Sequence, residues 1–64
     1  MINGHKVRAY RKRLGWTRAD LAEHTGLSVR FIARIETGKN QDQGPDMMLL
    51  LSKTLLVDPE DIQQ

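Results

Sequence analysis

The chain has 64 residues, of which 39% fall in the apolar set and 28% are charged, with no cysteine and one each of Trp, Tyr and Phe. A chain this short buries only about 60% of its unfolded surface, so residues 1–64 are expected to form one domain around one modest core. The lack of cysteine excludes a disulfide framework and a thiolate zinc site, and the two histidines have no ligand cluster near them, so no metal or cofactor is expected.

No apolar run approaches the roughly 20 residues a membrane span needs, and the opening Met1-Ile2-Asn3-Gly4-His5-Lys6 lacks the apolar stretch of a secretory signal. A soluble, reducing, cytoplasmic setting is the expectation. The net charge of +2 hides a division along the chain. Up to Lys39, nine basic residues face three acidic ones, a balance of +6; from Asn40 onward, Lys53 faces five acidic residues, a balance of −4. Such polarity suits a protein that turns its N-terminal part toward a polyanion, although the same charges would also serve as solvated helix faces.

Apolar periodicity and punctuation predict short helices and no strands. The first spans about residues 5–14, with Val7, Tyr10 or Arg11, and Leu14 on its inner side, and stops at Gly15. Thr17 reads as an N-cap with Asp20 three residues on, and the helix it opens carries Ala19, Leu21 and Ala22 up to Gly26. Ser28 caps a third helix that turns Ile32 and Ile35 inward before Gly38. The stretch from Lys39 to Pro45 is polar and rich in breakers, hence a surface loop. A fourth helix follows at about residues 46–56, and Asp58 before Pro59 announces a short fifth one holding Ile62. The expected class is therefore all-α, a compact five-helix domain.

Two short helices joined only by Gly26-Leu27-Ser28 have the form of a helix-turn-helix, whose second helix is suited to the DNA major groove. On a helical wheel with Ile32 at zero, Arg30 and Arg34 lie on the opposite side, with Ala33 on the flank and Val29 in the first turn. Arginine can bond guanine O6 and N7 bidentately, and a valine methyl can touch that of thymine. The alternative is that both arginines only solubilise the helix. Phe31 falls at the edge of the inward face, which suits packing rather than base contact. Free N–H groups near Thr17 and Arg18, and donors on Lys39, Asn40 and Gln41, are candidates for phosphate contact.

Three stretches together resemble the lambda-repressor-like, or Xre-type, helix-turn-helix family over residues 4–62. They are Arg11-Lys12-Arg13-Leu14-Gly15-Trp16-Thr17-Arg18-Ala19-Asp20-Leu21-Ala22-Glu23, then the run from Thr25 to Lys39, and finally Leu56-Val57-Asp58-Pro59-Glu60-Asp61-Ile62. The resemblance implies a structural ion pair between Arg11 and Glu36 that ties the first helix to the end of the recognition helix. It also implies base contacts from Val29, Arg30 and Arg34, and phosphate contacts from the helix ends. Where the family usually carries glutamine, this chain has Arg18, which keeps a donor and adds charge.

In the fourth helix, Met47, Leu50, Leu51, Thr54 and Leu55 make an inward face on the wheel. Leu49 and Leu56 fall outside it, on an outer stripe with Ser52 and Lys53, and Met48 lies on the margin. Either a second copy packs on Met48, Leu49 and Leu56, or Leu56 folds beneath the last helix against Ile62. The family's habit of dimerising through this region favours a homodimer.

The reading that follows is a bacterial or phage transcriptional regulator of repressor type that binds an inverted repeat in double-stranded DNA as a homodimer. The alternative is an antitoxin, or a phage or plasmid accessory protein, whose main task is to bind a protein partner; a toxin or a polymerase is the partner to consider. His5, His24 and the scattered carboxylates show no nucleophile–base or metal-ligand spacing, so no enzyme is expected.

Overall fold

The computed structural model describes residues 1–39 and 44–64. Among these residues four α-helices follow one another, α1 (Gly4–Arg13), α2 (Arg18–Thr25), α3 (Val29–Glu36) and α4 (Pro45–Leu55), and a 3-10 turn over Pro59–Ile62 comes after them. The expected fifth helix is thus a single 3-10 turn. Its four residues lie between Asp58, whose N–H donates to the Asp61 carboxylate at 3.0 Å, and an extended Gln63, which leaves no room for α-helical propagation.

The ends of the helices are written locally. Asn3 Oδ1 accepts from Lys6 N, Thr17 Oγ1 from Asp20 N, and Ser28 Oγ from Phe31 N, so three helices start on a side-chain cap. Thr17 and Asp20 form the reciprocal pair, since the Asp20 carboxylate also accepts from Thr17 N at 2.8 Å. That backbone bond holds the Asp20 carboxyl below its ordinary pKa. Pro45, expected in the loop, is instead the first residue of α4, where a missing N–H costs nothing.

The core gathers Ile2, Val7, Leu21, Ala22, Ile32, Ile35, Leu51, Leu55 and Ile62. Of the two candidates in α1, Arg11 is the buried residue and Tyr10 is half-buried. In α2, Leu21 and Ala22 are buried and Ala19 is exposed. Ile2 enters the core because the N-terminal segment pairs with the chain end: Ile2 bridges Gln63, and Asn3 N donates to Ile62 O at 2.7 Å.

In α4 the buried face is rotated from the expected one. Ser52, placed on the outer stripe by the wheel, is buried and donates to Leu49 O at 3.1 Å, and Met48 packs at the edge of the core. The physical reason is that Met47, Met48, Leu49, Leu50, Leu51 and Leu55 cover most of the circumference, so apolarity alone does not select the inner side. Leu56 is not helical and does not fold beneath the last turn: it caps α4 in the left-handed conformation at φ 63°, 79% exposed.

The N-terminus of α1 lies against the C-terminal end of α3. A Cβ at Gly4 would come within 2.7 Å of the Glu36 carbonyl oxygen and closer still to that of Ile35. Both obstacles are backbone, so a side chain there requires the two helices to separate. Gly4→Ala is expected to destabilise the domain by about 1–3 kcal/mol, as for overpacking elsewhere. Thermal unfolding followed by circular dichroism checks this, and a loss below about 0.5 kcal/mol would contradict the close approach.

Candidate nucleic-acid interface

The interface is built on the joint between α2 and α3. Gly26 at φ 78° ends α2 in the left-handed region, where its N–H donates to Ala22 O, and only Leu27 and Ser28 precede the next helix. Thr25 fastens the joint from within, donating its hydroxyl to Leu21 O at 2.8 Å and accepting from Leu27 N at 3.2 Å. Leu21, Ala22, Ile32 and Ile35 are buried beneath, which fixes the outer face of α3.

That outer face carries the residues the wheel put there. Arg30 and Arg34 are exposed, Val29 is 47% exposed, and Ala33 is half-buried on the flank. Phe31 packs at the edge of the core, in keeping with its wheel position. At the far end of α3, Gly38 N donates to Ile35 O and Lys39 N to Arg34 O, with Gly38 at φ 81°, a Schellman motif. This closure sets Lys39, exposed, just past α3. Asn40 and Gln41, expected to act beside Lys39, lie outside the described residues.

At the start of α2, Thr17 is exposed and its hydroxyl is committed to the cap. Arg18 is held in a way that sequence spacing did not reveal. Its Nε donates to Glu36 Oε1 at 3.1 Å, while the side chain remains 39% exposed. The same carboxylate, fully buried, accepts from Arg11 twice, from Nε at 2.6 Å and Nη2 at 3.0 Å, and Arg11 Nη1 donates to Trp16 O at 2.7 Å. The structure thus brings Arg11 and Glu36 together and adds Arg18 to them. One carboxylate from α3 joins α1, the α1–α2 connection and the first residue of α2.

Burial by itself would raise the Glu36 pKa, but the hydrogen bonds and charges of Arg11 and Arg18 outweigh it, and the group lies below the ordinary carboxylate value. The Arg11 guanidinium is correspondingly raised, first by its bond to Glu36. Trp16 and His24, which no motif in the sequence paired, bring their rings to 4.2 Å between centroids, tilted by 44°. His24 is exposed but leans on the indole, and its Nδ1 lies 3.1 Å from Asp20 O. A Trp followed eight residues later by His across a helix start was the available signal. Among the described residues no cluster of three or more metal-ligating side chains occurs, and no helix is long and apolar enough to cross a membrane.

Because Glu36 is more acidic in the folded than in the unfolded chain, its contribution to stability is complete above the ordinary glutamate range and is lost as pH falls through the lowered folded value. Glu36→Gln is therefore expected to melt below the parent at neutral pH, with the difference shrinking as the solution is acidified. Melting curves of both proteins across the acid range check this; a gap independent of pH would mean that the ion pair is not its source.

The helix-turn-helix family pattern matches residues 7–62 of the chain. No curated protein matches it in sequence. The solved DNA-binding domain of the P22 C2 repressor is similar with a TM-score of 0.82 at 32% identity, covering 94% of this chain and 78% of that one. The restriction-modification controller protein C.AhdI from Aeromonas hydrophila shares the fold, with a TM-score of 0.82 at 24% identity over 91% of this chain and 86% of its own. The match from Val7 to Ile62 takes in both helices of the joint and both residues of the Arg11–Glu36 pair, and the chain belongs to the lambda-repressor-like helix-turn-helix family.

Proposed function

We propose that this protein is a sequence-specific DNA-binding transcriptional regulator of repressor type, acting in the cytoplasm as a homodimer on an inverted repeat. The observation that carries the reading is the outward face of α3. Val29, Arg30 and Arg34 are all exposed on it, between basic side chains at the start of α2 and just beyond α3. The printed identity of the P22 C2 relative as a repressor's DNA-binding domain supports the same conclusion. In this reading Val29, Arg30 and Arg34 meet base edges in the major groove, while Thr17, Arg18, Lys39, Asn40 and Gln41 grip phosphates on either side.

The two kinds of contact separate in a titration. After selection of a preferred duplex from random sequences, Arg30→Ala is expected to cost about 1–3 kcal/mol on that duplex and to relax preference at one base pair. Lys39→Ala is expected to weaken binding to all duplexes and to reduce the slope of affinity against salt by about one. Equal losses on every sequence would demote Arg30 to a phosphate contact, and an unchanged slope would remove Lys39 from the interface.

Support for the dimer comes from Leu49 and Leu56, which are 50% and 79% exposed. Leu56 occupies the left-handed position that Gly15, Gly26 and Gly38 take at the other helix ends, and it is the one non-glycine residue with positive φ among those described. A side chain there costs about 1–2 kcal/mol. A residue that is both strained and apolar at the surface is accounted for by a second copy covering it. Half-sites would then lie roughly 34 Å apart. Leu56→Gly should raise the melting temperature of the dilute monomer while weakening self-association in sedimentation equilibrium; unchanged association would take Leu56 out of the interface.

A further inference from the structure

We infer that Glu36 is a positioning residue for DNA-backbone binding: by holding Nε of Arg18, it aims the outer edge of that guanidinium at a phosphate. This rests on the reading of the chain as a DNA-binding protein and deepens it at one residue. Three observations carry it. The Glu36 carboxylate is fully buried and accepts three hydrogen bonds, two from Arg11 and one from Arg18, so it is committed wholly to this cluster. Two guanidinium groups face one carboxylate, which leaves one positive charge uncompensated within the cluster. Of the two arginines, Arg11 is buried and also bound to Trp16 O, whereas Arg18 is 39% exposed, so the surplus charge reaches solvent through Arg18.

The planarity of the guanidinium does the rest. A bond at Nε restricts rotation of the plane and leaves the edge formed by Nη1 and Nη2, which matches two phosphate oxygens. Arg18 is the first residue of α2, and the partial positive charge of that helix terminus favours the same anion. An unrestrained arginine would lose much of its rotamer freedom on binding, and one already fastened at Nε loses less. A lysine at this position cannot reproduce the arrangement, because a single ammonium offers no second edge once it is drawn to Glu36. Since Glu36 ends α3 and Arg18 opens α2, the same contact also sets the register of the phosphate grip relative to the recognition helix.

The test uses the full chain and a mixed-sequence DNA duplex of about three helical turns, with binding followed by fluorescence anisotropy over a range of salt concentrations. Arg18→Ala is expected to lose roughly three- to tenfold in affinity at low salt and about one in salt slope. Arg18→Lys should keep the slope yet lose about threefold in affinity. In a Glu36→Gln background, folded as judged by circular dichroism, Arg18→Ala should cost clearly less than in the parent and change the slope less. A purely architectural Glu36 would leave the Arg18 loss and slope the same in both backgrounds, and that outcome overturns the inference while leaving DNA binding intact. If Glu36→Gln does not fold, Arg18→Lys decides: affinity equal to the parent overturns the inference, and a loss with retained slope supports it. A parent chain that binds no duplex at all would overturn the DNA-binding reading and this inference together.

Discussion

One buried carboxylate organises this domain. The Glu36 side chain lies at the end of α3 shielded from solvent, and it is compatible with that position only because Arg11 meets it along two bonds and Arg18 adds a third. An unpaired charge there would be prohibitively costly, and loss of one partner of such a pair typically costs about 3–5 kcal/mol. The cluster is demanding in geometry as well as in energy. Arg11 reaches it from α1, Arg18 from the first residue of α2, and Trp16 O takes the remaining edge of Arg11, so three helices must be in place at once. In a chain of 64 residues whose described part has a core of nine buried apolar side chains, this constraint fixes relative helix positions that hydrophobic packing alone would leave adaptable.

Around that centre, the helix ends divide the labour of shaping the interface. Gly26 lets α2 stop within one residue, so that α3 starts after a short joint, and Gly38 closes α3 with Lys39 directly beyond it. Gly4 acts differently, through the absence of a side chain rather than through a left-handed backbone. It allows α1 to approach the carbonyls at the end of α3, close to the carboxylate that α1 also grips through Arg11. The two contacts reinforce one another: close approach brings Arg11 within reach, and the ion pair holds the approach. Leu56 stands apart from this pattern. It takes a glycine-like conformation with a large apolar side chain at the surface, where neither local geometry nor burial repays the cost within one chain.

Much of this was legible in the sequence, because it is written in short-range chemistry. Thr17 with Asp20, Ser28 before Val29, and the glycines at positions 15, 26 and 38 act within one helical turn of themselves, so the helix ends follow from neighbouring residues. The outward aim of Arg30 and Arg34 follows from the period of a helix whose inner side is marked unambiguously by Ile32 and Ile35. The Arg11–Glu36 pairing entered through resemblance to a family, since nothing in a separation of 25 residues announces a contact.

By itself, the sequence determined the four α-helices, the tight joint between α2 and α3, and the face that α3 turns outward, since each depends on backbone preferences and a periodicity of a few residues. Only the tertiary structure decided which side of α4 is inner, that Ser52 is buried and Leu56 stands out, that Ile2 joins the core, and that Arg18 shares the carboxylate of Glu36. Those features arise where elements distant in the chain meet. Their energies depend on the angle and distance between whole helices, which no local pattern of residues encodes.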